Sequence, residues 1–220
     1  MESEKVPDYS QLKEGLDKLQ ASHQQLLDLG HEMMSNTDLY PMDLLTTAVL
    51  NRSLSLLDGF VVLVRGSNTL AALHLVRLHL DSLLRYSAAW LVEEPHAFAV
   101  EVFAGKSIRK MKDRTGAFMT DRYLVDKLAG EYAWVSSVYA ETSGYVHLSQ
   151  KHYHSAIRKM KEVAEDGRTM EAVISKGDLF VPYSLKLDSA GAMFEITGCI
   201  CQYVYGWTHT KNGGKPANQP

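Results

Sequence analysis

The sequence predicts a mainly α protein: an up-and-down bundle of about six or seven helices, with a small β-hairpin near residues 152–176. Three observations predict it. Long stretches repeat Leu and Val every three or four residues, the spacing that lines one face of a helix. Breaker clusters and prolines fall at the joints, with Pro41 and Pro95 suited to a first helical turn. The turn Gly66-Ser67-Asn68 is short enough to send one helix back along its neighbour. With 220 residues, 45% hydrophobic and 22% charged, the chain is long enough for one sizeable core. Residues 1–212 are read as a single domain and 213–220 as a disordered tail.

The first helix is expected over residues 9–35, where Leu12, Leu16, Leu19, Leu26, Leu27 and Leu29 alternate with Lys, Glu and Gln. Ser35-Asn36-Thr37-Asp38 breaks it. Residues 41–65 form the second helix, apolar except for Asn51, Arg52, Ser55 and Asp58. The third spans about 68–92. His74, Arg77, Asp81 and Arg85 are spaced 3, 4 and 4 along it, which keeps them on one side, while His79 and Ser82 lie off that line. A helix so apolar elsewhere belongs in the centre of a bundle. Pro95 opens a short fourth helix through Phe103. The loop 105–119 follows and holds the one basic cluster, Lys106, Arg109, Lys110, Lys112 and Arg114. Thr120-Asp121 starts a fifth helix.

A sixth helix is expected over about 133–150, with Val135, Val138, Thr142 and Val146 as its apolar stripe. Residues 152–176 read either as a hairpin about the turn signal Asp166-Gly167 or as an extension of the sixth helix through Ala164. A last helix covers about 182–210.

Composition narrows the function. The formal net charge of -3 gives no global basic excess, so nucleic-acid binding would need a local patch. Cys199 and Cys201 point to different sides of a helix and form no CxxC, which fits reduced thiols in a cytoplasmic protein. The polar, acidic start MESEKVPDYSQ is not a signal peptide. The apolar stretches carry Asp58, His74, Arg77, Asp81 and Arg85, so they are expected as core helices and no membrane is implied.

Four groups could carry chemistry. Tyr139, Ser143 and His147, spaced i, i+4, i+8, would form one line on the sixth helix. His147 is the candidate general acid or base, with Ser143 one turn earlier to orient it. The bland reading is a partly buried histidine bonded to Ser143 or a carbonyl. The stripe on the third helix offers Arg77 to a phosphate or developing oxyanion, with Asp81 holding it. Its bland reading is a solvated edge. Arg109, Lys110, Lys112 and Arg114 could contact phosphates or simply be a solvated loop. His147, His152 and His154 could chelate a metal, but no helical ExxH pair accompanies them and no metal is expected.

The segments LVRLHLDSLLRYSAAWL (75–91), SIRKMKDRTGAFMTDRYLVDKLA (107–129) and YAETSGYVHLSQKHYH (139–154) resemble a branch of uncharacterised bacterial helical proteins similar to the HEPN-like superfamily (higher eukaryotes and prokaryotes nucleotide-binding). The resemblance covers residues 40–210. It implies an up-and-down bundle, a homodimer with its site assembled across two chains, and metal-independent cutting of RNA in toxins or defence proteins. The family's active motif is an Arg followed after four to six residues by a His. His147 matches the His, but Glu141 and Thr142 stand where the Arg would be. No arginine of this chain precedes a histidine by that spacing. Catalysis would therefore take Arg77 from elsewhere.

The expected function is RNA- or nucleotide-directed, as a metal-independent ribonuclease of toxin or defence type. The alternative is a non-catalytic dimeric interaction or structural module, whose polar stripes fix helix register. No cofactor is expected.

Overall fold

The computed structural model describes residues 9–35, 38–147, 149–159, 170–172, 174–175 and 177–213. It is mainly helical. The helices are α1 (Ser10–Met34), α2 (Pro41–Arg65), α3 (Thr69–Ser87), α4 (Pro95–Phe103), α5 (Asp121–Ala129), α6 (Trp134–Val146), α7 (Gln150–Ala156) and α8 (Tyr183–Lys211). Short 3-10 turns follow α3 at Ala88–Trp90 and α4 at Ile108–Lys110. Pro41 and Pro95 each occupy the first turn of their helix, where a missing N–H costs nothing.

The core is a wall of α1, α2, α3 and α8. Helix α2 packs on α1 and α3, α8 packs on α1 and α3, and α6 closes the far side of α3. Leu19, Leu57, Phe60, Leu80 and Leu83 are fully buried there. Each such side chain contributes about 1.5–3 kcal/mol by leaving water. Gly59 lets α2 and α3 approach closely, since a Cβ there would meet Leu75 Cδ1 at 3.0 Å. Helix α2 is long and apolar enough to cross a membrane by length and composition. In this fold its Leu50, Leu57, Phe60 and Val64 are buried among the other helices.

Polar side chains tie distant parts of this wall together. Asp178 accepts from the Thr69 N–H at 2.9 Å and the Thr69 hydroxyl at 2.6 Å, and pairs with Lys186 at 3.0 Å. It thereby caps the start of α3 from the loop before α8. At the other end of the bundle, Asp43 and Lys211 form a fully buried ion pair at 2.9 Å. Asp43 also accepts from the Trp207 Nε1–H and the Tyr40 N–H, both at 2.8 Å. The Lys211 ammonium donates a second bond to the Met33 carbonyl at 2.9 Å. One cluster thus joins the end of α1, the start of α2 and the end of α8.

The expected sixth helix through residue 150 is corrected. Helix α6 stops at Val146, and His147 follows in extended conformation, φ -111° and ψ 145°. The Ser149 hydroxyl then bonds back to the Gly144 carbonyl, and α7 returns with the Lys151 stem on Gly144. A Cβ at Gly144 would meet that stem at 3.0 Å, so the glycine that weakens the helix also admits the returning chain. Ile157–Lys159 (β1) and Met170–Ala172 (β2) pair antiparallel, with Arg158 opposite Glu171. Residues 160–169, with the Asp166-Gly167 turn signal, lie outside the described residues, as do 214–220 of the expected tail.

Candidate functional site

The polar stripe of α3 meets α5 and α6. Arg77 lies over the Tyr139 ring, its guanidinium carbon 3.6 Å from the centroid, and reaches the Tyr139 carbonyl at 3.4 Å. A cation over an aromatic face is held by the ring's quadrupole. Asp81 pairs with Arg85 at 3.2 Å, and Arg85 also meets Asp121 at 2.6 Å. The expectation that Asp81 holds Arg77 is corrected: Asp81 joins an ion-pair triad with Arg85 and Asp121 that fixes α5 against α3. His74 bonds through Nδ1 to the Leu70 carbonyl.

Ser143 stays on the expected line with Tyr139, and His147 leaves it. The Ser143 hydroxyl donates to the Tyr139 carbonyl at 2.7 Å, one turn back along its own helix. His147 stands beyond the last turn of α6, exposed, and takes no hydrogen bond among the described residues. Because the backbone at His147 is extended, its ring leaves the helical line that Tyr139 and Ser143 share. The structure brings Arg77 to Tyr139 and leaves His147 outside that contact. His152 accepts from the Ser149 N–H through Nδ1 at 3.2 Å and packs edge-on to Tyr145. The side chain of His154 lies outside those described. Among the described residues no three His, Cys, Asp or Glu side chains gather as a metal set.

Among the described residues His79 is a fully buried histidine. Its Nε2 is 3.0 Å from the Thr197 hydroxyl, which itself donates to the Met193 carbonyl. Nε2 must therefore carry the proton, leaving Nδ1 as a buried acceptor without a partner. Burial, reinforced by the Arg52 charge, pulls its pKa down to about 3, so the ring stays neutral. Cys199 and Cys201 are buried thiols, pushed up to about 11 chiefly by burial, and are poor nucleophiles there.

The basic loop has more order than its composition suggested. Lys112 and Phe118 face each other across an antiparallel bridge, closed by Asp113 N–H to Ala117 O and Met119 N–H to Met111 O. Buried Asp113 organises the turn. One oxygen accepts from the Thr115 N–H, the Thr115 hydroxyl and the Ala117 N–H, and the other from the Tyr123 hydroxyl. Burial raises the Asp113 pKa, but these hydrogen bonds outweigh it and bring it down to about 2. Gly116 sits at φ 87°, a conformation open to glycine and costly for other residues.

The four cations proposed for phosphate are not equivalent. Arg114 is engaged with the carbonyls of Trp90, Leu91 and Val92, latching the loop to the end of the α3 segment. Lys112 lies over Phe118 at 5.2 Å. Arg109 and Lys110 are exposed without an acidic partner among the described residues. Neighbouring Lys106 is paired with Glu101 at 2.8 Å.

Between this loop and α4 lies an open cleft of about 620 Å³. Glu93 and Glu94, just before α4, and Lys110 and Lys112, on the loop, line it together with the paired Glu101 and Lys106. The sequence reading missed Asp113 and the glutamates of the cleft. Asp113-x-Thr115-Gly116 is an Asx-turn signal visible in the sequence; nothing local marks Glu93 and Glu94 as sharing a cleft with the loop. No protein-family model matches this chain, and neither a curated protein nor a solved structure matches it.

Proposed function

We propose that the chain is a non-catalytic interaction module, an up-and-down helical bundle similar to HEPN-like proteins, with residues 152–176 as a hairpin excursion. One observation carries this reading. The groups that would cut RNA are engaged in holding helices together, or stand apart from them. Arg77 is stacked on Tyr139, Asp81 is joined to Arg85 and Asp121, and the Ser143 hydroxyl is bonded within its own helix. His147 stands beyond the end of α6. Polar contacts between helices fix register, which is what a scaffold needs. The buried reduced thiols suit the cytoplasm, and a homodimer is the expected assembly.

The test is direct. Purified full-length protein incubated with single-stranded and structured RNA should leave both intact, with His147→Ala and Arg77→Ala indistinguishable from the parent. Products ending in a cyclic phosphate, lost in His147→Ala, would overturn the reading. They would establish the RNA-directed alternative, a metal-independent ribonuclease whose Arg77 and His147 meet across two chains.

A second reading rests on its own observation. Exposed Arg109, Lys110 and Lys112, the last over the exposed Phe118 ring, combine cations with an aromatic ring, as non-specific binders of single-stranded nucleic acid do. RNA or nucleotide binding without cleavage follows from it.

A further inference from the structure

The cleft between α4 and the basic loop has three features that suit it to a ligand. The first is charge. Glu93 and Glu94 before α4, and Lys110 and Lys112 on the loop, form no ion pair with each other or with any described residue. Opposite charges lining one cleft would pair if the walls met. They stay apart because the cleft holds about 620 Å³, within the range of sites that bind ligands.

The second feature is the backbone edge. In the bridge between Lys112 and Phe118, the closing hydrogen bonds belong to residues 111, 113, 117 and 119. The N–H and C=O of Lys112 therefore point away from Phe118, and neither takes a partner among the described residues. Residues 111–114 line the cleft and residues 117–119 do not, so Lys112 offers an unpaired N–H and C=O on the cleft-lining side of the loop.

The third is rigidity. Arg114 latches one end of the loop to the carbonyls of residues 90–92, and the Glu101–Lys106 pair ties its other end to α4. Asp113 holds the turn between them. The walls are fixed before anything binds, which lowers the ordering cost of binding.

We propose that this cleft binds an extended peptide segment carrying both basic and acidic side chains. Its main chain pairs with the open Lys112 edge, as in strand addition. Its basic side chains face Glu93 and Glu94, and its acidic ones face Lys110 and Lys112. A purely anionic polymer meets the unpaired Glu93 and Glu94, which argues against RNA as the occupant. The inference rests on the reading of the chain as an interaction module and names the chemistry of its partner.

The experiment is fluorescence anisotropy with the full-length protein. The probes are labelled hexapeptides scanning lysine, glutamate and leucine at every position, an all-acidic and an all-basic hexapeptide, and oligouridine RNA. A subset of mixed-charge peptides should bind best. Their affinity should fall about tenfold or more in the double variant Glu93→Lys/Glu94→Lys, as for opposed charges brought together. Ala97→Trp, which fills the cleft from an exposed helical position, should abolish binding while leaving the circular dichroism spectrum unchanged. N-methylation of the peptide backbone should also abolish it, and this control leaves the protein untouched.

No binding by any peptide, binding indifferent to both the charge swap and Ala97→Trp, or tighter binding of oligouridine than of every peptide would overturn the proposal. Cleavage of the oligouridine in the same samples would overturn the non-catalytic reading alone and leave peptide binding at the cleft standing.

Discussion

Lys211→Met removes one half of the ion pair that closes the lower end of the bundle. Lys211 and Asp43 are both fully buried and 2.9 Å apart. Removing one partner of such a pair leaves an uncompensated charge and costs about 3–5 kcal/mol. The methionine keeps most of the aliphatic stem, and Asp43 keeps the bonds from Trp207 and Tyr40, so the loss belongs at about 3 kcal/mol. Asp43→Ala is worse, because it strands the Lys211 ammonium, the Trp207 indole N–H and the Tyr40 N–H together. It belongs at about 5 kcal/mol. At about 2–4 °C per kcal/mol for a chain of this length, the milder variant should melt about 10 °C below the parent. The double variant Asp43→Asn/Lys211→Met buries no charge and should lose less than the sum of its single changes, a coupling read from a double-mutant cycle. Urea unfolding followed by Trp fluorescence measures all of these. A midpoint for Lys211→Met equal to the parent's would refute the argument, because it would mean that the ammonium is not buried against Asp43.

Three further outcomes are expected. His79 stays neutral in the fold, with its pKa pulled down to about 3, while in the unfolded chain it takes a proton near its ordinary value. Between about pH 6.5 and 3 the unfolded state therefore binds one more proton, and stability falls as pH falls, by about 1.4 kcal/mol per pH unit from this group. His79→Leu should flatten that slope in urea titrations run across the window; an unchanged slope refutes the assignment. The folded pKa of Asp113, down at about 2, lies below its unfolded value, so its contribution to the loop is present above about pH 4 and lost as pH falls toward 2. Asp113→Asn at neutral pH should expose Lys112 and Arg114 to limited trypsin digestion about tenfold faster, with the global melting point less affected. Asp178→Ala should cost about 2–4 kcal/mol, the worth of a lost helix cap plus the stranding of the Lys186 ammonium it pairs with, seen as a lower urea midpoint with the unfolding slope unchanged.

The fold was legible where the rule is local. Pro41 and Pro95 mark helix starts because proline lacks the one N–H that a helix start does not need. The apolar faces of α1 and α2 follow from periodicity, and their buried side chains are those that the spacing selects. The stripe on α3 was equally visible as four polar residues on one side. Its partners were not, because Tyr139 and Asp121 come from other helices. The reach of α6 was misjudged for a related reason. The stretch after Val146 has good helix formers, but the break depends on Lys151 folding back over Gly144, a contact that local propensity does not contain.

The sequence by itself determined that this chain is helical, which faces its long helices bury, and that its two basic and polar clusters lie on separate segments. Periodicity and helix-end chemistry depend on residues within one or two turns, so they can be read along the chain. Only the tertiary structure decided what those clusters do. It placed Arg77 on Tyr139 rather than beside His147, sealed Asp43 with Lys211 from the far end of the chain, and set Glu93 and Glu94 in one cleft with Lys110 and Lys112. Each of these placements joins segments more than a few helical turns apart in sequence. Their energies depend on distance and burial, and both arise only when the helices pack.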